Sequence, residues 1–294
     1  MTSAKKRITR EAPAVLHGAR PFEIHPEGAT AGILLIHGYT GRSEDMRFLA
    51  QSLASRGYAV SVPRLPGSGT DMEDLGTLHR SHWRRRVYDS WLELRSHYRQ
   101  AAIVGYSMGG LLALDLAATV DAQALVLLAP ALVMTHPSIP FTPYIAPFAR
   151  LLPVIKTDWT PNPKDNADTR EHGRRYWSHR DVRSLAQLSL LAKETQRLLP
   201  KVYTPAMGVF SDDDDSVSIK AREQLIKRLP EGLNTSLEVS GCGHSIPQGK
   251  ERERVAQTVG DWLTSQLSPP HASQEIEPST ENTQKLPKTA SLYS

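Results

Sequence analysis

The five residues Gly105-Tyr106-Ser107-Met108-Gly109 decide how this chain folds. They follow the apolar run Gln100-Ala101-Ala102-Ile103-Val104 and precede LLALDLAA at 111–118, a helix-forming stretch. A strand before and a helix after turn a common G-x-S-x-G string into a sharp strand-to-helix bend. The serine there is held in a strained conformation, with its hydroxyl above the sheet edge. The residues two before and two after it pack against each other, so positions 105 and 109 exclude a β-carbon. The helix that starts at once points its N–H groups at whatever the serine attacks.

Outward from this bend, strand and helix signals alternate. Residues 21–25 make a candidate edge strand, and Ile33-Leu34-Leu35-Ile36 is the unbroken apolar run of a buried central strand. Ser43 stands where it would cap a helix carrying Met46, Leu49, Ala50 and Leu53 on one face, stopped by Gly57. The next strand, 58–62, is ended by Pro63. In HRSHWRRRVYDSWLELRSHYRQ, Trp83, Val87, Trp91, Leu94 and Tyr98 recur at helical spacing, which buries that face and places the arginines on the solvated one. A strand at 124–128 follows the helix after the bend. This order predicts a mainly parallel sheet covered by helices on both faces.

After Ala129-Pro130 the regularity breaks. Residues 131–204 are rich in proline, aromatics and arginine, as in HPSIPFTPYIAPFARLLPVIKTDWTPNP. Alternation resumes with a strand at 206–210, a helix at 218–229, a strand at 235–239 and a last helix using Val255, Val259, Trp262, Leu263 and Leu267. The chain therefore divides into a basic extension (1–19), a first core part (20–130), an insertion (131–204), a second core part (205–267) and a polar tail (268–294). The tail has almost no apolar residues and is expected to be disordered.

Composition narrows the function. A chain of 294 residues suits one large α/β domain or two small ones and can bury a sizeable core. No apolar run approaches the ~20 residues of a membrane span. The start, MTSAKKRITREAPAVLHGAR, lacks the apolar stretch of a secretory signal. Cys242 is the only cysteine, so no internal disulfide forms. These features predict a cytoplasmic protein without stable membrane insertion. A net charge of +4, spread along helices, predicts no nucleic-acid partner.

A serine hydroxyl needs a base within hydrogen-bond reach. The candidate is His244 in Ser240-Gly241-Cys242-Gly243-His244-Ser245, where small residues let a loop fold tightly after a predicted strand. An acid should hold the imidazole in the right tautomer. It should lie in Ser211-Asp212-Asp213-Asp214-Asp215-Ser216-Val217, past the strand ending at Phe210. Asp214 is the first choice, three residues before an inward-facing Val217, with Asp215 and then Asp213 as alternatives. The run lacks the alternating acids, glycine and distal glutamate of a calcium loop, so neither a metal nor a cofactor is expected. Charge developing on a carbonyl oxygen calls for two donors. These are the N–H of Met108 and the N–H of Tyr39 in His37-Gly38-Tyr39-Thr40-Gly41, where Gly38 lets the chain turn. His37 closes a buried strand and is expected to brace this loop.

The ordered set LLIHGYTG, GYAVSVPRLPGSGT, VGYSMGG, LVLLAPA, VFSDDDDSV and SGCGHSIP resembles the α/β-hydrolase superfamily, and within it the bacterial carboxylesterase and monoacylglycerol lipase branch. The resemblance spans residues 20–267. It implies an α/β-hydrolase fold, with a mainly parallel central sheet flanked by helices and a cap, 131–204, inserted after the sixth strand. It implies Ser107 as nucleophile, Asp214 as acid, His244 as base, and the Tyr39 and Met108 amides as oxyanion hole. Ile139, Phe141, Tyr144, Ile145, Phe148 and Trp159 of the cap are then expected to line an acyl pocket, the alternative for some of them being the cap's own core. The implied activity is hydrolysis of carboxylic esters with short-to-medium acyl chains, through an acyl-enzyme. Alternatives are a monoacylglycerol lipase or lysophospholipase and, from another class, a binding protein without turnover. A serine at 107 excludes the dehalogenases and epoxide hydrolases of the superfamily, which carry aspartate there. The Tyr-Thr-Gly loop departs from its proline aminopeptidases, and four consecutive aspartates replace the usual one or two.

Overall fold

The chain enters through an edge strand, β1 (Phe22–Ile24), and a fully buried strand, β2 (Ala31–Ile36). Then come α1 (Arg47–Ala54), β3 (Ala59–Val62), α2 (Met72–Gly76), α3 (Arg80–His97), β4 (Gln100–Tyr106), α4 (Met108–Ala117) and β5 (Ala124–Leu128). Before the next strand of the sheet lie α5 (Thr142–Ile145), β6 (Ile155–Lys156), α6 (Ala167–Tyr176), β7 (His179–Arg180) and α7 (Val182–Leu198). The chain closes with β8 (Ala206–Ser211), α8 (Lys220–Arg228), β9 (Thr235–Val239) and α9 (Arg252–Gln266). This computed structural model describes residues 14–151, 155–161, 163 and 165–267. Residues 1–13 of the basic extension and the tail 268–294 lie outside the described residues.

Seven strands form one sheet in the order β1-β3-β2-β4-β5-β8-β9, parallel except where β1 runs against β3. β6 and β7 form a separate antiparallel ribbon. Successive strand residues face opposite sides, which builds two cores. Ile33 and Leu35 of β2 join a cluster with Leu49 and Leu53 of α1 and Val259 and Leu263 of α9. Leu34 and Ile36 join the other, with Trp83 and Val87 of α3, Leu111 of α4 and Leu191 of α7. Fully burying side chains of this size stabilises the fold by about 1.5–3 kcal/mol each. This is the mainly parallel, helix-flanked sheet that the sequence predicts.

Three expectations need correction. Five sheet strands precede the insertion among the described residues, one fewer than expected. The stretch before β1 is a 3-10 turn, His17–Ala19, whose backbone amides at 17 and 18 donate to Asp168, so it adds no strand. Ser43 does not cap α1. It is fully buried and its hydroxyl points at the Ala19 and Pro63 carbonyls, while the Asp45 carboxylate accepts the Arg42 N–H at 2.8 Å. A buried hydroxyl must find an acceptor nearby, and here both lie away from the helix. The arginines of α3 are not all solvated either. Arg80 and Arg84 bond Glu194 of α7, and Arg84 also bonds the buried Asp115 of α4. The insertion lays α7 over α3 and α4, a neighbour that local periodicity cannot announce.

Candidate active site

Ser107 sits between β4 and α4 with φ 55° and ψ −115°. Such a backbone costs of order 1–3 kcal/mol and persists only where its surroundings over-determine it. Here they do. The Ser107 N–H donates to the Leu128 carbonyl at 2.9 Å, and its own carbonyl accepts from Gly110 and Ala131 at 2.9 and 3.1 Å. A β-carbon at Gly105 would lie 2.2 Å from the Gly109 carbonyl oxygen, and one at Gly109 only 2.1 Å from that of Ile36. Both positions therefore demand glycine.

The loop after β9 turns back over the sheet edge through Gly241 and Gly243, both at positive φ (68° and 53°). Tyr106 steadies it, donating its hydroxyl to the His244 carbonyl at 2.9 Å with the two rings 5.3 Å apart. The Ser107 hydroxyl lies 2.8 Å from His244 Nε2, and His244 Nδ1 lies 2.9 Å from Asp214 Oδ2. A carboxylate facing Nδ1 keeps the ring proton there and leaves Nε2 to accept from the serine.

The four consecutive aspartates divide their tasks. Asp214 accepts the Ser216 and Val217 amides with its other oxygen, at 2.8 and 2.9 Å. Asp213 takes the Ser211 hydroxyl and the Gly243 amide, Asp212 the Ser240 hydroxyl, and Asp215 the Ser216 hydroxyl. Burial pushes the Asp214 carboxyl up, but the His244 bond and charge, with the two amides, outweigh it and hold it below the usual value. It is thus ionised wherever His244 is to be oriented. Val217 is buried beneath this turn.

His37 is buried with Nδ1–H donating to the Gly38 carbonyl (2.9 Å) and Nε2 accepting the Leu65 amide (3.2 Å). Burial lowers its pKa to about 4, so it braces the loop as a neutral ring. In that loop the Gly41 N–H returns to the Gly38 carbonyl at 3.1 Å, and the positive φ falls on Thr40 (53°). Gly38 has no positive φ and contributes closeness instead of turning: a β-carbon there would sit 3.2 Å from the Ser107 β-carbon, a tight contact. Among the described residues no acceptor takes the Tyr39 N–H. Met108 is the first residue of α4, whose N–H has no partner within the helix.

A cavity of about 460 Å³ opens at Ser107 and His244, with Met134, Ile139, Trp177, Leu185, Leu188 and Val217 as its apolar wall. Of the six expected pocket residues only Ile139 reaches it. Phe141, Tyr144, Ile145 and Phe148 are exposed on the outside of the insertion. Trp159 packs against Gly173 and the Trp177 ring instead. Prolines at 140, 143 and 147 break this segment into short turns, so its apolar residues do not keep one helical face inward. Trp177 and Leu188 were missed because nothing local distinguishes them from core residues. A second, more polar cavity of about 480 Å³ flanks His244 and is lined by Asp45, Tyr106, Asp213, Asp215, Ser245 and Gln248.

A model of the alpha/beta hydrolase family matches residues 33–258. The thermostable monoacylglycerol lipase of Bacillus sp. (strain H-257) is 32% identical over 216 residues, 69% of this chain and 77% of that protein. The carboxylesterase of Bacillus subtilis (strain 168) is 23% identical over 245 residues, 83% of this chain and 96% of that protein. Among solved structures, one from the metagenome-derived lipolytic enzymes LipS and LipT superposes with a TM-score of 0.73 at 23% identity, covering 86% of this chain and all of that one.

Proposed function

The chain belongs to the alpha/beta hydrolase family, and we propose that it hydrolyses carboxylic esters with Ser107 as nucleophile, His244 as base and Asp214 as the acid that orients it. The observation that carries the reading is the unbroken hydrogen-bonded line from Ser107 Oγ through His244 to Asp214. Ser107 attacks the ester carbonyl as its proton passes to His244 Nε2. The Tyr39 and Met108 amides hold the oxyanion, an interaction commonly worth about 3–4 kcal/mol per donor. The imidazolium returns the proton to the departing alcohol, and a water molecule activated the same way frees the acid from the acyl-enzyme.

Residues 131–204 act as the cap, and the acyl chain lies along Met134, Ile139, Leu185 and Leu188. A cavity of about 460 Å³ suits a short-to-medium chain. A second reading, a monoacylglycerol lipase, is favoured by the polar cavity beside His244, which adjoins the apolar one. It offers hydrogen-bonding groups to a neutral polyol leaving group, whereas its Asp213 and Asp215 carboxylates repel the phosphate of a lysophospholipid. The single cysteine, Cys242, buried and unpaired, is compatible with a cytoplasmic site of action.

The test is hydrolysis of p-nitrophenyl esters of increasing chain length beside 1-monoacylglycerols. The wild type should turn over esters, with the rate declining for long chains, while Ser107→Ala is inactive and melts like the wild type. A serine-reactive phosphonate should add one adduct, at Ser107. Full activity in the alanine variant, or labelling at another serine, overturns the mechanism.

A further inference from the structure

Three residues of the loop after β2 tie it to the insertion. The Tyr39 hydroxyl lies 2.6 Å from Ser184 Oγ of α7. The Thr40 carbonyl accepts from His172 Nε2 of α6 at 2.8 Å. The Arg42 guanidinium donates to Asp168 Oδ2 and Thr169 Oγ1 of α6 at 3.0 and 3.2 Å. We infer that His172 is a positioning residue for ester hydrolysis: its Nε2–H holds the Thr40 carbonyl, and with it the tight turn over 38–41, so that the Tyr39 N–H within that turn stays aimed at the reacting oxygen. The inference rests on the roles proposed above for Ser107 and Tyr39.

The reason lies in Thr40. Its φ of 53° puts a β-branched residue in the left-handed region, at the turn position where glycine is usual. Threonine left to itself prefers other conformations, so the turn needs an external hold on its carbonyl. His172 supplies it and has little else to do. It is fully buried, stacked on Tyr176 at 4.7 Å and set edge-on to Trp177 at 5.1 Å, which fixes the ring. Its Nδ1 has no partner among the described residues, so its one hydrogen bond is the one to Thr40. Burial, with the Arg42 charge beside it, brings its pKa down to about 3. The ring is therefore neutral at any working pH, with its single proton on Nε2. Moving α6 would move the Thr40 peptide with it, which couples the insertion to the site that receives the oxyanion.

The experiment compares His172→Phe, His172→Gln and His172→Asn with the wild type on a p-nitrophenyl ester. Absence of turnover in the wild type would count against the ester-hydrolase reading as a whole; with wild-type turnover in hand, the variants test His172 alone. Phenylalanine keeps the stack and removes the donor. Its kcat should fall about 10- to 100-fold, less than outright deletion of an oxyanion donor, with KM within about threefold. Binding of a boronic acid, which adds to Ser107 as a tetrahedral anion, should weaken by the same factor. Glutamine places an amide N–H near the old Nε2 and should recover kcat to within about threefold of wild type. The asparagine amide is too short to reach Thr40 and should behave like phenylalanine. A folded His172→Phe with kcat within about twofold of wild type overturns the inference. So do unchanged boronate affinity in a slowed variant and equal activity in the Gln and Asn variants, a comparison that remains if the Phe variant fails to fold.

Discussion

Replacing Asp214 with asparagine exchanges one oxygen for a nitrogen and should remove nearly all turnover. In the wild type one carboxylate oxygen takes the His244 Nδ1–H at 2.9 Å, while the other accepts the Ser216 and Val217 amides. Asparagine has only one acceptor oxygen. Leaving the part-buried Val217 amide without an acceptor costs about 1–3 kcal/mol, so that oxygen stays with the two amides and the NH2 turns toward His244. A donor facing Nδ1 drives the ring proton to Nε2, where the ring can no longer accept from Ser107. The equivalent substitution in a serine protease lowers kcat about 10⁴-fold, or about 5 kcal/mol of barrier. A spare carboxylate would soften the loss, but the neighbours are committed elsewhere. Asp213 is held by Ser211 and Gly243, and Asp215 by Ser216. The expected loss is therefore near 10⁴ in kcat, with KM and melting temperature little changed. Steady-state kinetics on a p-nitrophenyl ester, alongside a thermal melt, measure it. A loss below about tenfold would refute the tautomer argument, and a large loss confined to Asp215→Asn would move the acid one residue along.

Other outcomes follow from the same geometry. Gly109→Ala should destabilise the fold by at least about 3 kcal/mol or prevent folding, because its β-carbon meets backbone at 2.1 Å; a urea midpoint like the wild type's would contradict this. Glu194 bonds Arg80 and Arg84, which lower its pKa from 4.5 to about 2. The folded state thus binds fewer protons than the unfolded one between those values, and the contribution of Glu194 is complete above pH 4.5 and gone near pH 2. The stability gap between wild type and Glu194→Gln should accordingly close on acidification through that window, and shrink in high salt; a gap independent of pH in urea titrations would contradict it. Prolonged dialysis against EDTA should leave ester hydrolysis unchanged, and activity lost to the chelator and restored by calcium or zinc would reopen a metal role for the acidic run at 212–215.

Much of this molecule could be read from its order of residues, for a definite physical reason. The strand-to-helix bend at Ser107 is announced within five residues because Gly105 packs on the Gly109 carbonyl, although glycine at 109 is itself required by the Ile36 carbonyl of β2. The β2 run Ile33-Leu34-Leu35-Ile36 and the alternation around it were legible because burial on both faces leaves a local apolar signature. The position of His244, in a glycine-bounded loop after the last strand, was legible on the same terms. Where several residues compete for one task, sequence alone could only rank them. Asp213, Asp214 and Asp215 are chemically alike, and only the turn that gives Asp214 the amides of 216 and 217 aims its second oxygen at the imidazole.

The tertiary structure alone decided what faces the cavity. Phe141, Tyr144 and Phe148 have the composition of a pocket and stand outside it, while Trp177, Leu185 and Leu188 look like core and line it. The Arg84–Asp115 pair and the His172–Thr40 bond join residues 31 and 132 positions apart. Periodicity records whether a side chain is buried, because burial depends on the face of an element. It does not record which distant element does the burying, since that depends on how the insertion folds back over the sheet.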